Sequence, residues 1–216
     1  MKMNSKIKGL IGSVMGVVFV LSTVGCSNNQ YQPLPQKDQK QPVTTDAAAY
    51  NYLVGPGDEL EIFVWRNPEV SETVTVRPDG KVTTPLVEDL EVSGLTPTEV
   101  ARKVEEALSV FIKEPIVTVL VSEFQGPYSE QVRVIGEASE PQAVPYREDM
   151  SLLDIMIAVG GLTEFADGNQ ASVIRVVDGQ QQQYSVRIED LIKKGDISAN
   201  ADILPGDIVI IPEAWF

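Results

Sequence analysis

The chain has 216 residues, with 17 Lys and Arg against 31 Asp and Glu, no histidine and one cysteine. A net charge of −14 leaves no excess of cations to neutralise phosphate, so nucleic acid is not an expected partner. Without histidine the chain lacks the commonest general base and metal ligand, which also excludes Ser–His and Cys–His hydrolase chemistry, and a lone cysteine excludes an intrachain disulfide and Cys-cluster metal sites. No metal and no cofactor is expected, and composition favours a binding or structural role over an enzyme.

Lys2, Lys6 and Lys8 precede an apolar run over 9–21, the layout of a secretory signal over residues 1–25. The run is shorter than the roughly 20 apolar residues that span a bilayer. Ser22-Thr-Val-Gly-Cys26 follows and resembles a bacterial lipobox, which makes Cys26 the expected lipidation site. Thr23 stands where the pattern usually has Leu. Residues 26–50 are dominated by Gln, Pro and charged side chains, so they read as a flexible linker that cannot bury a core.

A first folded unit is expected over 51–125. Pro56-Gly57 fits a type II turn, and Leu60, Ile62 and Val64 then alternate with Glu59, Glu61 and Phe63 as in a strand. Residues 73–76 and 81–84 flank Pro78-Asp79-Gly80 and read as a hairpin. Thr96-Pro97-Thr98-Glu99 is a capping box with Pro at N1, followed by Val100, Val104, Ala107, Leu108 and Phe111 on one helical face. Pro115 stops that pattern, and 116–121 reads as a returning strand.

A second unit is expected over 128–216. It has a strand over 132–135 and loops at Pro141 and Pro145. Ser151 and Asp154 form a second capping box, which opens a helix apolar on most sides and so expected to be buried; Gly160-Gly161 ends it. Strands follow at 172–177 and 184–188, with Gln180 to Gln183 in the hairpin loop. One helical turn is expected over 189–194, and Leu204-Pro-Gly-Asp207 leads into a final apolar strand. Pro-Gly-Asp thus precedes a strand in both units, but this is a common way into a strand and implies no duplication.

Carboxylates are the main chemical candidates. Asp58, Glu59 and Glu61 could be read as a glycoside-cleaving pair, but a solvated strand face with a turn-capping Asp accounts for them without any companion motif. Asp202 and Asp207 lack calcium-loop spacing, and Gly160-Gly161 lacks the Lys of a phosphate loop. Trp215 and Phe216 serve either to dock a partner or to pack on the last strand.

Residues 52–121 resemble the N-terminal domain of the outer-membrane polysaccharide export proteins, the Wza-type family, through Leu53-Val-Gly-Pro-Gly-Asp-Glu-Leu60, Pro78-Asp-Gly-Lys-Val82, Gly94-Leu-Thr-Pro-Thr-Glu99 and Glu114-Pro-Ile-Val-Thr-Val119. Residues 131–212 resemble the SLBB domain, a β-grasp module, through Val134-Ile-Gly-Glu137, Val159-Gly-Gly-Leu-Thr-Glu-Phe-Ala166 and Leu204-Pro-Gly-Asp-Ile-Val-Ile-Ile-Pro212. The whole is similar to the short exopolysaccharide export lipoproteins of exosortase-associated loci. The resemblance implies an α+β protein of two small domains, with no catalysis. It also implies a homo-oligomeric ring or sleeve, lipid-anchored at the periplasmic face of the bacterial outer membrane, that passes polysaccharide outward. Implied partners are the polymer and an inner-membrane chain-length co-polymerase or tyrosine-kinase-like protein. The short stretch after Ile211 leads us to expect a separate outer-membrane β-barrel as the pore. The alternative is a glycan-binding or assembly lipoprotein without a conduit.

Overall fold

The computed structural model describes residues 40–46 and 50–215. Cys26, the signal segment and Phe216 lie outside them.

Alternation decides the first strand. In β1 (Glu59–Val64), Leu60, Ile62 and Val64 are buried while Glu61 and Phe63 face outward. β1 pairs antiparallel with β2 (Glu72–Thr75) on one side and β5 (Val117–Glu123) on the other. A separate two-stranded sheet joins β3 (Lys81–Thr84) to β4 (Val87–Glu91). The expected hairpin across Pro78-Asp79-Gly80 is therefore corrected: its first arm pairs with β1 and its second with β4. Asp79 and Gly80 do turn the chain, but β4 competes successfully for the β3 edge.

Helix α1 (Pro97–Leu108) starts as the capping box dictates: Glu99 N–H donates to Thr96 Oγ1, and Thr96 N–H donates to Glu99 Oε2 at 2.8 Å. Val100, Ala101, Val104 and Leu108 bury against Leu60, Ile62, Val64 and Val117. Each such side chain contributes about 1.5–3 kcal/mol on burial. The helix ends at Leu108, one turn earlier than the apolar spacing suggested, so Phe111 lies outside it and is exposed.

A second core forms on a five-stranded mixed sheet of order β7-β6-β10-β8-β9. These strands are β6 (Val132–Gly136), β7 (Ala143–Val144), β8 (Ser172–Val177), β9 (Gln180–Ser185) and β10 (Ile208–Ile211). β10 runs parallel to β6 and antiparallel to β8. Val134, Val173 and Val209 share one core with Leu152, Ile155 and Met156 of α2 (Leu152–Ala158) and with Ile188 and Leu191 of α3 (Ile188–Lys194). Two expectations are corrected. Gln180 to Gln183 form strand β9 and not a loop, because the ladder to β8 uses only backbone; the strand ends at Ser185 and Ile188 opens α3. Helix α2 is also not buried all round, since Ile157 is 71% exposed.

The protein is thus α+β. No helix among the described residues is long and apolar enough to cross a membrane. Part of the stretch read as linker is engaged: Pro42 is buried, Val43 N–H donates to Glu130 Oε1 at 2.7 Å, and the Tyr50 ring stands edge-on to Tyr146 at 5.0 Å.

Candidate functional site

The turn before β1 builds the junction between the two cores. Gly57 supplies φ +95°, which an L side chain rarely adopts, and swings Asp58 back over its own turn. Asp58 is fully buried. Its Oδ2 accepts from Gly55 N–H at 2.8 Å and from the Tyr52 hydroxyl at 2.6 Å. Its Oδ1 accepts from Gln125 N–H at 2.7 Å and Gly126 N–H at 2.9 Å, on the segment leading to the second core. Gly55 lies so close to Gly126 that a Cβ would fall 2.0 Å from its carbonyl carbon. From the other side, Gln131 Nε2 donates to the carbonyls of Gln125 and Gly126. One carboxylate thus ties residues 52–58 to 125–126.

Asp207 repeats the local arrangement. It is fully buried, Gly206 has φ +77°, and Asp207 Oδ2 accepts from Leu204 N–H at 2.8 Å. Its remaining capacity goes to Arg175, through Nε at 2.9 Å and a second guanidinium nitrogen at 2.6 Å. Arg175 also donates to the Asp202 carbonyl and lies 5.8 Å over the Tyr184 ring.

These contacts decide the carboxylate candidates. Asp58 is committed to the clamp, while Glu59 and Glu61 sit on the outward side of β1; the structure does not bring the three into one cleft. Asp207 is committed to Arg175, and among the described residues no group of three His, Cys, Asp or Glu side chains could hold a metal ion. Gly160 and Gly161 take φ +73° and +87° at the end of α2, a chain-reversing role. Trp215 is 99% exposed, so it does not pack on β10.

Beside the clamp lies a groove of about 360 Å³ whose lining includes Tyr50, Tyr52, Phe124, Tyr146, Arg147 and Glu148. Tyr52 and Phe124 meet edge to face at 5.2 Å. Burial pushes the Tyr50 phenol up to about 12, and burial with the Asp58 hydrogen bond raises Tyr52 as well. Burial also raises Tyr146, with Asp149 adding to it. All of these phenols therefore remain protonated at neutral pH. An adjoining hollow of about 520 Å³ shares Arg147 and Glu148 and continues past Asp149 and Asp154 to Ile157. The sequence reading did not single out this groove. Tyr50, Phe124 and Tyr146 follow no common periodicity and meet only through tertiary contact; the one local hint was the Tyr50 and Tyr52 pair at the edge of the linker.

Comparison with known proteins follows the same division. Residues 46–122 match the family described as polysaccharide biosynthesis/export protein, and residues 130–211 match the SLBB domain. The chain thus carries a polysaccharide export domain followed by an SLBB domain. It is similar to the EPS I polysaccharide export outer membrane protein EpsA of Ralstonia nicotianae (strain ATCC BAA-1114 / GMI1000), 27% identical over 77% of this chain and 49% of the relative. It is also similar to the capsule polysaccharide export protein BexD of Haemophilus influenzae, 28% identical over 74% of this chain and 43% of the relative. The exopolysaccharide production protein ExoF of Rhizobium meliloti (strain 1021) is 26% identical over 77% of this chain and 42% of its own length. The chain therefore spans about half the length of the curated relatives it matches, or a little less.

Proposed function

We propose that the protein is a non-catalytic component of a polysaccharide export system, held at the periplasmic face of the bacterial outer membrane by lipid on Cys26. The observation that carries this reading is the tandem itself: an export-family match and an SLBB match in one chain, which over about three quarters of its length is similar to relatives named for export of EPS I polysaccharide and of capsule polysaccharide. Copies of the chain assemble into a ring or sleeve. It receives polymer from an inner-membrane chain-length co-polymerase or tyrosine-kinase-like protein and passes it to an outer-membrane β-barrel. The 51–125 and 128–216 units act as the two modules of that sleeve. The clamp at Asp58 supports this reading, because a conduit needs its modules held in fixed register under load. Lipidation supplies the anchor: each buried CH₂ adds about 0.8 kcal/mol, so several acyl chains hold where a single chain binds only marginally.

A deletion strain tests the reading. It should lose surface polysaccharide and accumulate polymer in the periplasm, and a Cys26→Ser variant should lose palmitate labelling and leave the membrane fraction. Normal surface polymer in the deletion strain would overturn the export reading.

A further inference from the structure

The groove beside the clamp has features that packing alone does not explain. Phe124 keeps 54% of its surface exposed although its ring and that of Tyr52 stand nearly perpendicular at 5.2 Å. The Arg147 guanidinium and the Glu148 carboxylate at the rim have no hydrogen-bond or ion-pair partner among the described residues. Beneath them, Tyr146 Oη is buried without a hydrogen-bond partner. So is Glu130 Oε2, in a narrow crevice that shares Tyr50, Tyr52 and Tyr146 with the groove. Native proteins keep few such orphaned atoms, and those they keep are commonly met by water or a ligand.

We infer that this groove is a saccharide-binding subsite that contacts the polymer in transit. The inference rests on the export reading above. A pyranose ring presents a patch of C–H bonds on one face and hydroxyls around its edge. The C–H bonds carry partial positive charge and stack on the negative face of an aromatic ring. Phe124 offers such a face, with Tyr52 and Tyr50 beside it. Arg147 donates to hydroxyl oxygens and Glu148 accepts from hydroxyl hydrogens. The volume of about 360 Å³ falls within the roughly 300–1,000 Å³ of small-ligand sites, and the adjoining hollow lets a chain continue beyond one sugar.

Charge selects the occupant. Glu148, Asp149 and Asp154 stand along the two hollows against the single guanidinium of Arg147, on a chain of net charge −14. A densely anionic polymer is repelled there, so the subsite takes neutral or sparsely charged sugar units.

The test titrates the purified protein with short oligosaccharides released from the producing cell's own surface polysaccharide, with oligogalacturonate as an anionic comparator, read by saturation-transfer NMR. Phe124→Ala and Arg147→Ala should each weaken binding about tenfold, and Phe124→Trp, which keeps the stacking face, should stay within about threefold of the parent. Trp65→Ala, on the outer side of the first sheet, should change nothing. Several results would overturn the subsite: no saturable binding by the parent protein, equal binding by the Ala variants, or tighter binding of oligogalacturonate. A change in sedimentation with saccharide binding intact would also overturn it, making the groove a contact between copies of the chain. In cells, full restoration of surface polymer by the Phe124→Ala/Arg147→Ala double variant removes the subsite while leaving the export reading intact. Normal polymer in the deletion strain removes both.

Discussion

Asp58 and Asp207 each close a Pro-Gly-Asp turn with a carboxylate bond to the N–H three residues back, 2.8 Å in both, and each is fully buried at the start of a core strand. Beyond that shared geometry they part. Asp58 spends its second oxygen on backbone N–H groups 67 and 68 residues downstream, while Asp207 spends its remaining capacity on one side chain of the neighbouring strand. The difference teaches that one local motif can serve two scales of structure. In the first turn it joins two cores; in the second it neutralises a charge within one sheet. The motif itself does not say which.

The largest expected effect breaks that comparison at Asp58. Asp58→Ala leaves the Gly55, Gln125 and Gly126 N–H groups without their acceptor, and should cost about 3 kcal/mol or more. The thermal transition should fall and broaden as the halves uncouple. Asp207→Ala should cost less, about 2 kcal/mol, because Arg175 is partly exposed, rehydrates, and keeps the Asp202 carbonyl. Equal losses in denaturant titrations of the two variants would show that Asp58 does not join the cores.

The glycines sharpen the comparison. Both Gly57 and Gly206 sit at positive φ, so either Ala costs about 1 kcal/mol for backbone strain. At Gly57 the new methyl meets only the flexible Gln125 side chain at 3.4 Å, but at Gly206 it lies 2.6 Å from Pro42 and from the Ser129 carbonyl. Gly206→Ala should therefore be the costlier substitution and should open residues 40–46 to limited proteolysis, which Gly57→Ala should not.

The smallest effect concerns acid. Hydrogen bonds from Lys194, Asn169 and Arg187 hold the Asp190 carboxyl down to about 2. A depressed carboxyl contributes stability above its ordinary value near 3.8, and that contribution is lost as pH falls through about 2. Thermal stability should decline across that window, and Asp190→Asn should flatten the decline slightly, since the pairs involved are at the surface. An unchanged slope would show that this cluster plays no part in acid stability.

Much of the fold was legible because its signals are local. The β1 alternation, the Thr96–Glu99 capping box and the Gly195 stop of α3 at φ +69° each depend on a few neighbouring residues. β4 was missed because Val87-Glu-Asp-Leu-Glu91 has no clean alternation: Asp89 takes φ +53°, and the register shifts opposite, between Val82 and Thr84. β9 was expected over 184–188 but spans Gln180–Ser185, because four glutamines carry no apolar pattern and their ladder is backbone alone. The groove was invisible for a different reason. Tyr50 and Tyr146 stand 96 positions apart, and nothing in a linear pattern announces that their rings will touch.

The buried Pro42 sets the length of a leash. A chain pinned at Cys26 and free until Tyr50 would reach about 80 Å, whereas one that is seized at Pro42 reaches about 55 Å at full extension. With lipid on Cys26 as proposed, the body then hangs within that shorter radius of the bilayer, and any outer-membrane component it serves must come down to meet it there.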